Sequence, residues 1–374
     1  MSNTWSIIPS LQPFLQEAWR NSNFTQPTAI QEKAVPTILE GGDVIAESPT
    51  GTGKTLAFLL PILNKIDVSK KDVQAVILAS SKELVMQIME EIRIWSIGSG
   101  IERASLIGGA NVKRQLDKLK KKPHIIVGTP GRVQELIQMK KLKMHEVRTV
   151  VLDEGDQVFS NEHVKTVDQI IKSTLKDRQL LVFSATLSSE VEEKARERMK
   201  DPTLIRVGES ESAGHVEHVY IVCEERDKIS VLRKLMNLEN MRALVFSNNI
   251  DVLSVYAAKL EYQGLPLGVL HSEVSKQERE RSLKQFRESK FPLLLTTDVA
   301  SRGLDIKGLN HVIQLEVPKE ARQYTHRAGR TGRAGEGGTV ISILADYEVK
   351  KLLRIGEELG LTMEERRLYK GELI

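Results

Sequence analysis

A single cysteine, Cys223, stands in 374 residues, so neither a disulfide framework nor a multi-cysteine metal site can be built within the chain, which fits a reducing compartment. Long apolar runs are missing as well. The longest, near residues 57–63, falls far short of the roughly 18 residues a membrane-spanning helix needs, and no charged stretch leads into an apolar one after Met1. The expectation is a soluble, cytoplasmic chain without membrane contact. Aromatic residues make up only 5%, and the net charge is only +4, from 54 basic and 50 acidic side chains. That excess does not by itself argue for a polyanionic partner. With 40% hydrophobic and 28% charged residues, disordered, collagen-like and disulfide-scaffold classes are excluded. A length in this range favours about two domains.

Short β-branched or Leu-rich runs alternate with longer amphipathic stretches, the pattern of βαβ units and parallel sheets. In the first half the runs are 44–46, 75–79, 125–127, 150–152 and 180–183; in the second, 243–246, 267–270, 293–295, 312–315 and 339–344. Polar motifs follow them, and ligands of open α/β sheets bind beyond the carboxyl ends of the strands. The small, polar string GESESAG at 208–214 reads as a linker. The organisation expected is an N-terminal domain over 1–207, a linker over 208–215 and a C-terminal domain over 216–374. The charge excess lies in the first half, where residues 1–208 hold 29 basic and 25 acidic side chains against 25 of each afterwards. Lys113, Arg114, Lys118, Lys120, Lys121 and Lys122, just past Gly108 and Gly109, are either a solvated helix face or a row that neutralises phosphates.

Ser48, Pro49, Thr50, Gly51, Thr52, Gly53, Lys54 and Thr55 spell SPTGTGKT between a strand-like run and a helix-compatible one. In that context Gly51 and Gly53 let backbone amides turn onto phosphate oxygens. Lys54 reaches the outer phosphates, and the Thr55 hydroxyl is suited to Mg²⁺. Ser48 replaces the first glycine of the strict pattern, so a glycine-rich turn capping a helix remains the plainer alternative. Downstream, VVLDEGD at 150–156 ends a buried-looking strand in three carboxylates. Beside a phosphate loop, Asp153 is suited to hold Mg²⁺ and Glu154 to orient or deprotonate the attacking water. A solvated acidic turn or a helix cap is the reading without that loop.

Taken in order, these strings resemble the DEAD-box RNA helicases of helicase superfamily 2, over nearly the whole chain. FTQPTAIQ, with Phe24 and Gln31, is similar to the adenine-reading Q motif, and an amide's donor and acceptor match the N6 and N7 edge of adenine. TPGR (Thr129, Pro130, Gly131, Arg132) and Gly109 resemble elements that grip the RNA backbone. Ser184 and Thr186 resemble the SAT motif, which couples the carboxylate loop to the opposite domain. YTHRAGRTGR at 324–333 implies, by resemblance, that Arg330 and Arg333 reach the γ-phosphate, while His326 and Arg327 face the carboxylate and SAT loops. LTTDVASRGLDI at 295–306 implies ribose contact by Asp305 and RNA contact by Thr297 and Gly303. Arg279 matches a phosphate-binding arginine. The resemblance implies two RecA-like domains, each a mostly parallel sheet flanked by helices, with ATP and Mg²⁺ as cofactors.

The spelling departs from the family in places. DEGD replaces DEAD, SSKEL replaces PTREL with Lys82 at an RNA-facing arginine, Lys276 stands for a glutamine, and no isolated aromatic upstream of the Q motif is evident. Gly155→Ala is expected to restore the family spelling with little loss of ATPase, since Gly to Ala is adverse mainly where φ is positive. The activity implied is an RNA-stimulated ATPase that unwinds or remodels RNA duplexes or RNA–protein complexes locally. The chain resembles short bacterial members without an added RNA-binding domain, which act in ribosome assembly or cold adaptation. The expected protein is a monomer working on RNA and ribosomal precursor particles. Two other readings stay open, an ATP-gated RNA clamp and a DNA-directed superfamily 2 translocase.

Overall fold

The computed structural model describes residues 5–22, 24, 26–160, 163–208, 216–239, 241–301, 306, 309–332, 337–369 and 372–374. Its chain forms two compact units, Met1–Ser212 and Ala213–Ile374. Residues 209–215, most of the expected linker, lie outside the described set.

In unit 1 the strands are β1 (Val44–Glu47), β2 (Ala75–Leu78), β3 (Arg103–Leu106), β4 (Ile125–Gly128), β5 (Thr149–Asp153), β6 (Gln179–Ser184) and β7 (Thr203–Arg206). They lie in the order β3-β4-β2-β5-β6-β1-β7, and all neighbours are parallel. Parallel strands require crossovers, and crossover helices cover both faces of such a sheet. Alternation along each strand therefore feeds two cores. Val44, Ala46, Ile77, Val127, Val151 and Phe183 enter one, while Ile45, Val76, Leu78, Ile126, Leu152 and Val182 enter the other. Each fully buried Val or Leu contributes about 1.5–3 kcal/mol.

In unit 2 the strands are β8 (Val216–Val222), β9 (Ala243–Phe246), β10 (Leu267–Leu270), β11 (Leu293–Thr296), β12 (His311–Gln314), β13 (Gly338–Leu344) and β14 (Glu364–Glu365). Their order is β10-β11-β9-β12-β13-β8-β14. Position for position this repeats the first sheet, and here too all neighbours are parallel. A small hairpin, Leu368–Tyr369 with Glu372–Leu373, packs Leu368 and Leu373 onto one core. Each unit is thus the helix-flanked parallel sheet expected of a RecA-like domain. Among the described residues no helix is long and apolar enough to cross a membrane.

Local signals start and stop the elements that carry the motifs. Thr28 and Gln31 form a capping box on the helix Ala29–Glu40, which ends at Gly41 in the left-handed region. The helix Lys54–Lys65 begins at Gly53 and is buried almost all round from Leu56 to Leu63. All three tryptophans lie in unit 1. Trp5 packs on Trp19 at 5.5 Å, Trp19 on Trp95 at 6.2 Å, and Phe24 stacks on Trp95 at 6.2 Å and 11°.

Candidate functional site

In unit 1 the phosphate loop leaves β1 at the carboxyl edge of the sheet. Gly51 and Gly53 hold φ of 82° and 90°, and a Cβ at Gly53 would lie 2.4 Å from Gln31 Nε2. Glycine at 53 is thus required both by the turn and by the amide beside it. The loop is internally bonded: Thr52 Oγ1 donates to the Pro49 carbonyl at 2.8 Å. That spends its hydrogen, so the fully buried Ser48 donates to Thr52 Oγ1 at 2.7 Å. Ser48 therefore props the loop with a hydroxyl that a glycine would lack. Lys54 Nζ donates to the carbonyls of Ser48 and Pro49 at 2.5 and 2.6 Å. Thr50 and Thr55 are half-buried in the same turn.

Gln31 ties the Q motif to this loop. Its Oε1 accepts from the Thr28 amide at 3.0 Å and its Nε2 donates to the Gly53 carbonyl at 3.2 Å. An amide offers two donors and two acceptor sites, so each end keeps the capacity to meet a base. Phe24, 48% exposed, is held by its stacking on Trp95.

The carboxylates follow β5. Asp153 is 5% exposed and accepts from the Glu154 amide at 3.0 Å. Burial, then the neighbouring Glu154 charge, pushes its carboxyl up to about 7, against the opposing pull of Lys54. Glu154 sits at φ 54°, ψ 52°, a left-handed conformation sparsely used by residues other than glycine, and its Oε2 accepts from the Ser80 hydroxyl. Asp156 is buried, and Ser184 Oγ lies 2.8 Å from its Oδ1 and 2.6 Å from the Thr186 carbonyl. Ser184 also accepts from the Asp156 amide at 3.3 Å. The SAT string and the carboxylate turn are thereby joined within one unit.

Gly155 is confined in a way the sequence did not signal. Its φ is not positive, yet a Cβ there would lie 2.7 Å from Val182 Cγ1, and Val182 is fully buried. The obstacle to alanine is space rather than conformation. Gly155→Ala should lower the stability of unit 1 by about 1–3 kcal/mol, the usual cost of overpacking. Paired with Val182→Ala, it should cost less than the two single losses together. Denaturant unfolding checks this, and a Gly155→Ala protein as stable as the parent would disprove it.

A second surface lies on the same unit. The Gly108 amide donates to Thr129 Oγ1 at 3.3 Å. Lys82 Nζ lies 2.9 Å from where a Cβ would stand on Gly109. Thr129 stands at the N-cap position of the helix Pro130–Gln138, which Pro130 opens, while Gly131 has open space beside it. Arg132 donates to the Ala110 carbonyl at 3.1 Å and pairs with Glu135 at 2.8 Å. Lys82, Gly109 and the TPGR string thus meet in one place. The basic residues from Lys113 to Lys122 are exposed along and just beyond the helix Val112–Leu119.

In unit 2, Arg279 donates to the Ala300 carbonyl at 2.6 Å, next to the turn that carries the buried Thr297. His326 lies on the helix Ala321–Ala328. Arg330, 8% exposed, donates from Nε to the His326 carbonyl at 3.3 Å. Arg333, Asp305 and Gly303 lie outside the described residues. Arg327 departs from expectation. Its guanidinium is fully buried inside the unit, bonded to both Asp298 carboxylate oxygens at 2.7 Å, to Asn248 Oδ1 at 2.6 Å and to Gln314 Oε1 at 3.2 Å. It also lies 5.1 Å from the Phe246 ring centroid. A side chain whose three nitrogens are spent this way braces, within unit 2, the helix that carries His326 and leads into Arg330.

Sequence reasoning missed Ser80 and the bonds Arg327 makes within unit 2, and it assigned Asp156 no role. The signal for Ser80 was available, because parallel pairing of two strands sets residues beyond their ends side by side. Arg327 had no comparable signal.

Among the described residues no group of three or more His, Cys, Asp or Glu side chains is placed to hold a metal. Mg²⁺, which keeps waters and binds through one or two carboxylates together with phosphate, needs no such group. Asp153 fits it: a carboxylate whose ionised form is penalised by burial is one that a divalent cation would stabilise.

Comparison with known proteins matches residues 28–194 to the DEAD/DEAH box helicase family and residues 227–335 to the helicase conserved C-terminal domain. A probable ATP-dependent RNA helicase, YfmL of Bacillus subtilis, is 54% identical over 374 residues, covering 100% of this chain and 99% of that one. The DEAD-box ATP-dependent RNA helicase CshC of Bacillus cereus is 50% identical, covering 98% and 95%. Among solved structures, S. cerevisiae Dbp5 bound to RNA and ADP BeF3 superposes with a TM-score of 0.86 at 29% identity, covering 95% of this chain and 93% of that one.

Proposed function

The chain belongs to the DEAD-box ATP-dependent RNA helicases, RNA-stimulated ATPases, and we propose that it remodels short RNA duplexes or RNA–protein complexes in ribosome assembly or cold adaptation. In this reading it is a cytoplasmic monomer acting on ribosomal precursor particles. The likeness in length and spelling to short bacterial relatives supports it.

Within the proposal, Gln31 and Phe24 receive the adenine. The loop from Ser48 to Thr55 cradles the phosphates, Lys54 exchanging its loop carbonyls for phosphate oxygens. Asp153 and Thr55 would hold Mg²⁺, which when bound neutralises phosphate charge. Glu154 takes the proton of the attacking water, Ser184 and Thr186 brace the carboxylate turn, and Arg330 with Arg333 stabilises the transferring phosphoryl group. His326 supports that loop, and Asp305 meets the ribose. Lys82, Gly109 and the residues from Thr129 to Arg132 grip RNA from unit 1; Arg279, Thr297 and Gly303 do so from unit 2. The observation that carries the reading is the joining, in unit 1, of Gln31 to the phosphate loop and of Ser184 to the carboxylate turn.

The RNA candidates are small residues, backbone amides and cations, suited to phosphate and ribose, which carry no direct base information. Unrelated single-stranded RNAs of equal length should therefore bind alike, with affinity falling steeply as salt rises. DNA, lacking the 2′-hydroxyl, should stimulate hydrolysis less. Titrations at several salt concentrations, with duplex unwinding followed with and without ATP, test this. A sequence preference that persists at high salt, or RNA-stimulated hydrolysis without strand separation, would overturn it.

A further inference from the structure

Strands β2 and β5 run parallel with Leu78 beside Leu152, so two residues further on Ser80 comes level with Glu154. The Ser80 hydroxyl donates to Glu154 Oε2, and both residues are half-buried. Ser80 holds the first position of SSKEL, where the family spelling PTREL has proline, a residue with no side-chain donor. A further departure in this unit, Gly155, follows Glu154 directly. Glu154 itself sits in a sparsely populated backbone region. The departure at Ser80 thus supplies a donor to the candidate base.

We propose that Ser80 is a positioning residue for hydrolysis, holding Glu154 Oε2 so that Oε1 is left to take the proton of the attacking water. The proposal rests on Glu154 being the base. In that step the water oxygen bonds to the γ-phosphorus as Glu154 gains the proton. The bond from the γ-phosphorus to the bridging oxygen breaks, its electron pair staying with ADP, and phosphate is the second product. The same short segment leads into Lys82: Ser81 caps the following helix by accepting from the Leu84 amide at 3.1 Å. The hydroxyl that aims the base is therefore two residues from a candidate RNA contact.

The test measures kcat, the KM for ATP and the half-saturating RNA concentration for Ser80→Ala, Ser80→Thr and Ser80→Pro, each with Glu154 intact and with Glu154→Gln. Ser80→Ala should lower kcat about tenfold, the scale of one hydrogen bond to a charged acceptor, and leave both concentration constants unchanged. Ser80→Thr keeps the hydroxyl and should restore kcat; Ser80→Pro, the family spelling, should behave like alanine. Because Ser80 acts through Glu154, its removal should cost nothing further beside Glu154→Gln. An unchanged kcat in Ser80→Ala, an equal loss in Ser80→Thr, or the same fold-loss in both backgrounds would overturn the proposal. Near-normal turnover by Glu154→Gln alone would instead remove the base assignment beneath it.

Discussion

Arg330→Ala is expected to lower RNA-stimulated ATP hydrolysis by about 10³ to 10⁵, the range for removing an arginine that stabilises a transferring phosphoryl group, while ATP affinity stays near that of the parent protein. The asymmetry follows from where the groups reside. The phosphate loop, Gln31 and Asp153 belong to unit 1, whereas Arg330 belongs to unit 2, so nucleotide held by unit 1 alone does not need it. A planar guanidinium meets the charge spread over phosphoryl oxygens as no neutral side chain can. Arg330 is also largely buried, so a thermal melt should accompany the kinetics to separate lost chemistry from lost folding. If ATP binding to the RNA-free protein fell as far as turnover in a folded variant, the proposed role would be wrong.

Glu154→Gln should bind ATP and RNA normally and lose turnover by about 10² or more, the scale of removing a general base. The amide keeps the shape of the carboxylate and an oxygen able to accept from Ser80, so what disappears is basicity. Equilibrium binding of a fluorescent ATP analogue, together with single-turnover hydrolysis at saturating RNA, measures both halves of this expectation. Hydrolysis close to the parent rate would sink the assignment of Glu154.

Much of the architecture was legible because parallel strands buried on both faces spell themselves out as apolar runs. The strands that escaped reading lie at or near sheet edges. β3 (RASL) and β7 (TLIR) end or begin in arginine, β8 sets the adjacent polar pair Glu217 and His218 among apolar residues, and β14 is a pair of glutamates. An edge strand is specified by the neighbour it finds, which local pattern does not report. The phosphate loop was legible for a different reason, since its chemistry dictates its spelling. What could not be read were contacts made across the fold: the three nitrogens of Arg327 find partners on three separate segments of unit 2, and Val182 fills the space where alanine at 155 would sit.

The place of β1 in its sheet bears on how the protein is made. β1 lies between β6 and β7, so the strand that launches the phosphate loop emerges early from the ribosome and finds neither partner until residues 179–206 have followed. Throughout that interval an apolar strand waits with both edges unpaired, the state in which nascent chains are most open to wrong pairing. β8 waits in the same way for β13 and β14. The repeated strand order therefore exposes the chain twice during synthesis, and the nucleotide site is among the last features of unit 1 to come into being.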